Sequence, residues 1–154
     1  MILTISAVVI GSVAVAKAYK EPEINSAYAI GLAKFFEYDA TEMFVDGPWP
    51  TDYIKREVED KDLIDSVQKS LRDIIEEEVF VTTSEFKYNP KKAGSGWRSV
   101  LTFTINNINY GFSVYGYKLK VSIDGKDSYY YTDCIMKINS LINETVDYLS
   151  PEQT

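Results

Sequence analysis

Apolar positions along this chain follow one period in its first half and another in its second. After Pro22, Ile24, Tyr28, Leu32 and Phe35 recur at intervals of three or four, which lines one face of a helix, and proline suits a first helical turn. A helix from Pro22 to Tyr38 is predicted. Asp46-Gly47-Pro48-Trp49-Pro50 reads as a loop, because the prolines flanking Trp49 each remove a backbone donor. Thr51 is placed to cap a short helical start carrying Ile54 and Val58. Leu63, Ile64, Val67, Leu71, Ile74 and Ile75 continue the stripe into a second long helix. Its other face spaces Asp52 with Arg56, Glu57 with Lys61 and Asp65 with Lys69 at i,i+4, pairs worth about 0.3 to 0.5 kcal/mol each.

From Val79 the period becomes two. Phe80, Thr82, Ser84 and Phe86 alternate with Val81, Thr83 and Glu85, and Trp97, Ser99, Leu101, Phe103 and Ile105 share one face of a second strand. Asn106 to Asn109 reads as a tight turn. Tyr110, Phe112 and Val114 resume the alternation, and Tyr117, Leu119, Val121 and Ile123 continue it, so Gly116 reads as a bulge in one long strand. Asp124-Gly125 marks a two-residue hairpin turn that brings Ser128 to Tyr131 back alongside. Asp133 is placed to cap a closing helix whose stripe includes Ile135, Ile138, Ile142, Val146 and Leu149, with Pro151 as its stop. The expected fold is α+β: an apolar N-terminal segment over residues 1–20, then one domain over 21–154. That domain has two helices, a four-stranded antiparallel meander and a C-terminal helix packed on the sheet.

Residues 1–16 carry no charged side chain, and Lys17 and Lys20 follow closely. Three readings stand. As a membrane helix, Ile2 to Ala16 spans about 22 Å, and extension through Tyr19 with snorkelling lysines brings it nearer a hydrocarbon core. As a secretory signal, Ala14-Val15-Ala16 supplies small residues for cleavage, although only the amino terminus provides positive charge. As a packing element, its Ile, Val and Thr content suits a strand buried within the domain or donated to a neighbouring subunit. In layout, an apolar N-terminal run followed by Pro22 and a small α+β head, the chain is similar to the type IV pilins. Ile5 stands where their pattern has a glutamate, and the likeness is one of layout alone.

Composition narrows the chemistry. The chain has 154 residues and no histidine, which removes Ser-His-Asp and Cys-His machinery and every histidine-based metal site. Its single cysteine, Cys134, excludes an internal disulfide. The net charge of -7 is uneven. Asp46 through Glu78 holds eleven acids against five bases, whereas Val79 through Lys137 holds four acids against eight bases. Nucleic-acid binding is not expected from a chain of this overall sign.

No residue pattern defines a catalytic, metal or cofactor site. Counted from Asp60, an EF-hand loop would need glycine where Asp65 stands and glutamate where Leu71 stands. Gly94-Ser95-Gly96 opens a strand, whereas a phosphate loop opens a helix. Asn143-Glu144-Thr145 matches a glycosylation triplet but falls inside a predicted helix. Two features point to binding. The basic loop around Lys91, Lys92, Trp97 and Arg98 suits an acidic surface. The tyrosines of the last strands must alternate between faces, which places an interaction surface around Tyr115 and Tyr130. The function expected is that of a noncatalytic subunit, membrane-associated or exported, working through a protein partner or self-assembly, with membrane contact through Ile2 to Ala16. The alternative is a soluble acidic inhibitor or immunity-type protein that masks a basic partner.

Overall fold

In the computed structural model the described residues are 23–49, 52–84 and 98–150. The apolar N-terminal segment, Glu85, Lys91, Lys92, Trp97 and Pro151 therefore lie outside them.

The domain is α+β, as expected, but its sheet is twice as wide as the sequence pattern implied. Eight antiparallel strands are present among the described residues: β1 (Ile24–Ser26), β2 (Glu42–Trp49), β3 (Asp52–Glu57), β4 (Val79–Thr83), β5 (Val100–Ile105), β6 (Ile108–Tyr115), β7 (Lys118–Ile123) and β8 (Lys126–Tyr131). Their order across the sheet is β1-β4-β8-β7-β6-β5-β2-β3. Three helices accompany them: a short α1 (Ala33–Glu37), and two longer helices, α2 (Lys61–Ile75) and α3 (Ile135–Leu149).

Three expectations are corrected. The helix from Pro22 to Tyr38 is reduced to α1. Before it, Ile24–Ser26 pairs with β4, and Leu32 N donates to Ala27 O at 3.2 Å in a single wide turn containing Gly31 at φ +98°. The loop at Asp46 and the helical start after it are instead the β2–β3 hairpin. Pro48 is tolerated because β2 pairs with β5 only from Glu42 to Asp46, so just one neighbouring strand lies beside it. Gly116 is not a bulge but, with Tyr117, the turn that separates β6 from β7.

The remaining turns follow the sequence. Asn106 and Asn107 have φ of 50° and 62°, and Asp124 and Gly125 have 48° and 79°, the left-handed pairs that a tight hairpin requires. The long helix starts where Asp60, not Thr51, caps it, its carboxylate accepting from Asp62 N and Leu63 N. Cys134, not Asp133, precedes the first turn of α3.

One face of the sheet carries the core. Met43, Val45, Leu101, Phe103, Ile105, Tyr110, Phe112, Leu119, Val121, Tyr130 and Phe80 pack there against Leu32, Phe35, Val67, Leu71, Ile75, Ile138 and Ile142. Phe35 sits at its centre, 5.1 Å from the Phe112 ring, 5.4 Å from Phe103 and 5.9 Å from Tyr110. The side of α2 toward α1 secures the end of that short helix. Gln68, fully buried, accepts from Ala40 N at 2.8 Å and donates to Phe35 O and Tyr38 O. Arg72 donates to the same two carbonyls, and Lys61 donates to Ala40 O. Carbonyls that α1 cannot satisfy internally are thus met from α2.

Candidate interaction surface

The second face of the sheet carries the chemistry. Strand register sets it out in rows, because directly paired residues point to the same side. One row reads Lys55, Asp46, Val100, Ser113, Lys120, Tyr129 and Thr83 from β3 to β4. In the next, Tyr115 pairs with Lys118, while Tyr131, Val81 and Ile24 stand side by side.

Cations lie over tyrosine rings across these rows. Arg98 stands 5.4 Å and Lys120 5.8 Å from the Tyr115 centroid, and Lys118 stands 5.6 Å from that of Tyr131. Tyr115 and Tyr129 meet edge to face at 6.5 Å. Lys120 also bridges to Asp127 at 3.1 Å, and Lys118 donates to Ser84 O at 3.0 Å. Burial by itself would lower the pKa of the Lys120 ammonium. The hydrogen bond to Asp127, together with Tyr115 and Tyr129, outweighs that and holds it above its ordinary value.

Below these rows the surface becomes apolar. Val79, Val81, Tyr117, Tyr131, Thr132, Asp133 and Ile135 line a groove of about 400 Å³ formed by β4, the end of β8, the Gly116-Tyr117 turn and the start of α3. Its rim is unusually bare for large apolar side chains: Tyr117 is 81% exposed, Ile24 beside Val81 is 73%, Val79 is 51% and Tyr131 is 45%. A larger cleft of about 540 Å³ is lined by Glu23 and Asn25, Ala29 and Ile30, Thr82 and Thr83, and residues 127–130, with Glu23 and Asp127 as its acids. Asp127 there is occupied by Lys120.

Of the residues expected to bind, Arg98 and Tyr115 meet on this face. Tyr130 does not join them. The Asp124-Gly125 turn pairs Ile123 with Lys126, so Leu119 faces Tyr130 and both enter the core, where the Tyr130 ring meets Phe80 at 5.9 Å. Tyr129 and Tyr131 take the outer face instead. Lys118, Lys120, Tyr117 and Val79 are the residues that sequence reasoning passed over. The register of that two-residue turn was the signal for Tyr129, Tyr131 and their lysine neighbours. Nothing local in the sequence announced Val79 or Tyr117.

Among the described residues no group of His, Cys, Asp or Glu could hold a metal ion. Burial raises the pKa of the Asp46 carboxyl against the pull of Lys55, and Asp46 lines neither cleft. No described helix is long and apolar enough to cross a membrane. What fold and surface define is an α+β domain with an eight-stranded antiparallel sheet and an exposed aromatic corner. Compared with known protein families, curated proteins and solved structures, the chain matches none of them.

Proposed function

We propose that this chain is a noncatalytic binding and assembly subunit, membrane-associated or exported, acting through protein–protein contacts. The observation that carries the reading is the exposed corner of Ile24, Val79, Tyr117 and Tyr131, a set of apolar side chains that a domain of this size has no reason to leave in water unless something covers them. Beside it, cations already held over tyrosines supply a rim whose side-chain entropy is largely spent before a partner arrives. The uncharged run from Ile2 to Ala16 supports membrane contact or assembly as the setting.

Fractionation tests the reading. The full chain is expected in a membrane fraction or an oligomer, and a chain starting at Lys17 in the soluble monomer fraction. A full chain that stays monomeric and soluble without detergent overturns it.

A second reading, an inhibitor or immunity-type protein, is favoured by α2 and its flanks. There Glu59, Asp62, Glu76 and Glu77 are exposed and form no ion pair among the described residues. It predicts a basic partner whose affinity falls steeply with ionic strength.

A further inference from the structure

We infer that the hollow over Gly111 on the outer face of the sheet, where the hydroxyls of Thr102, Ser113 and Ser122 gather beside the Lys120 ammonium, binds a phosphate-sized oxyanion. The site shares Lys120 with the aromatic rows but does not depend on the assembly reading above.

Strand β6 shapes the hollow. Phe112 enters the core, so Gly111 and Ser113 on either side of it face the opposite way. Gly111 stands between Thr102 of β5 and Ser122 of β7, and Ser113 stands between Val100 and Lys120. A glycine flanked by such short side chains leaves a cavity of about 160 Å³, with exposed Asn109 and Gly125 at its rim and buried Gly111 and Ser113 at its floor. One water needs roughly 10 to 15 Å³, so the space takes several waters or one tetrahedral anion. A Cβ at position 111 would stand 3.3 Å from Ser122 Cβ and 3.8 Å from Thr102 Oγ1, and so would narrow it.

The polar groups of the lining define the ligand. Ser113 is 2% exposed, yet its hydroxyl makes no hydrogen bond among the described residues. Burying a hydroxyl without a partner costs stability, and folded chains rarely leave one so unless another group completes the bond. The half-buried hydroxyls of Thr102 and Ser122 likewise make no hydrogen bond among the described residues. Asn109 Oδ1 accepts from Thr104 Oγ1 at 2.9 Å, so the Asn109 amide has its N–H groups left to donate. Lys120 brings the positive charge; it donates to Asp127 at 3.1 Å and retains further N–H donors. No carboxylate is among the described residues that line the hollow. Several donors and one cation on a single hollow suit oxygens that carry negative charge.

The same chemistry is offered by free phosphate and by the phosphate of a small ester whose carbon part projects past Asn109. Inorganic phosphate and glycerol 3-phosphate, each titrated into the full chain against sodium chloride of equal ionic strength, separate these sources. Amide chemical shifts are expected to move most at Gly111, Ser113 and Ser122. Tighter binding of inorganic phosphate identifies the free ion as the ligand, and tighter binding of the ester identifies a small phosphorylated metabolite. Probes that move these amides no more than chloride does overturn the assignment, and so do shifts concentrated at Arg98 and Lys118.

Three variants supply a second readout. Ser113→Ala removes a buried hydroxyl that has no partner, so the melting temperature of the free protein should hold or rise while phosphate affinity falls at least about fivefold. Thr102→Val keeps the shape of its side chain and is expected to lose affinity similarly. Lys120→Met keeps the stem beside Tyr115, removes the charge and is expected to abolish binding. A free protein destabilised by Ser113→Ala would mean that the hydroxyl serves the fold. Undiminished phosphate affinity in Ser113→Ala or Lys120→Met would put the anion elsewhere. Either result overturns the site and leaves the assembly reading untouched.

Discussion

Single side chains carry several of the fold's decisions, and Gln68 is the clearest. Its amide is buried and serves one donor and two acceptors of the chain between Phe35 and Ala40. Arg72 also reaches both acceptors, so the group left stranded by Gln68→Leu is chiefly Ala40 N–H. A loss of about 2 to 3 kcal/mol is expected from the urea midpoint. Asp46 gives a pH signature. Burial raises its folded-state pKa, so the folded chain binds more protons than the unfolded one between the ordinary carboxylate value and the raised value. Stability due to this group must fall as pH rises through that window. Urea titrations of the parent and Asp46→Asn should therefore diverge with rising pH, with the parent losing relative to the variant; parallel curves would contradict the burial. Burial likewise pushes up the pKa of Cys134, whose sulfur lies 3.2 Å from Thr132 Oγ1. A disulfide reagent at pH 8 should leave the folded chain unmodified and titrate one thiol after denaturation.

At the scale of elements, what could be read in advance was what local spacing encodes. The stripe of α2, the stripe of α3 and the two left-handed turn pairs required nothing beyond neighbours in sequence. The β2–β3 hairpin was hidden because Pro48 and Pro50 punctuate the sequence there, and the tolerance of Pro48 depends on β5 ending its pairing at Asp46, which is a tertiary fact. Ile24 fell into a helical stripe by coincidence of spacing. Its actual partner, Val81, lies far along the chain, and its side chain is mostly in water. The candidate surface was half legible: Arg98 and Tyr115 were named, but Tyr130 was given the face that belongs to Tyr129 and Tyr131. Counting back from Asp124-Gly125 would have corrected it. Gly31 shows why the first helix does not run straight. At φ +98° it occupies a conformation that side chains resist, and an added Cβ would lie 3.0 Å from Ile123 Cδ1. Gly31→Ala is expected to destabilise by about 2 kcal/mol and lower the melting temperature by roughly 4 to 8 °C. A neutral result would mean that this turn can be rebuilt as regular helix.

For the molecule as a whole, the sheet is the frame, and its order is far from sequence order. β4 and β5, consecutive along the chain, are separated by β8, β7 and β6, and β1 and β3 form opposite margins. Amide exchange should grade accordingly, slowest in β5, β6 and β7 and fastest in β1, which has one paired neighbour and three residues. Uniform exchange across all eight strands would contradict this arrangement. The opposite margin is fastened differently. Arg56 of β3 donates to Leu149 O at 3.1 Å, at the carbonyl end of α3, where a cation is electrostatically welcome. Above it, Val146 packs within 3.4 Å of where a side chain at Gly47 would stand. The closing helix thus works as a clasp on the hairpin of β2 and β3. An exopeptidase that trimmed the chain past Leu149 would not merely shorten a tail; it would unlatch the far border of the sheet and turn that border into an adhesive strip.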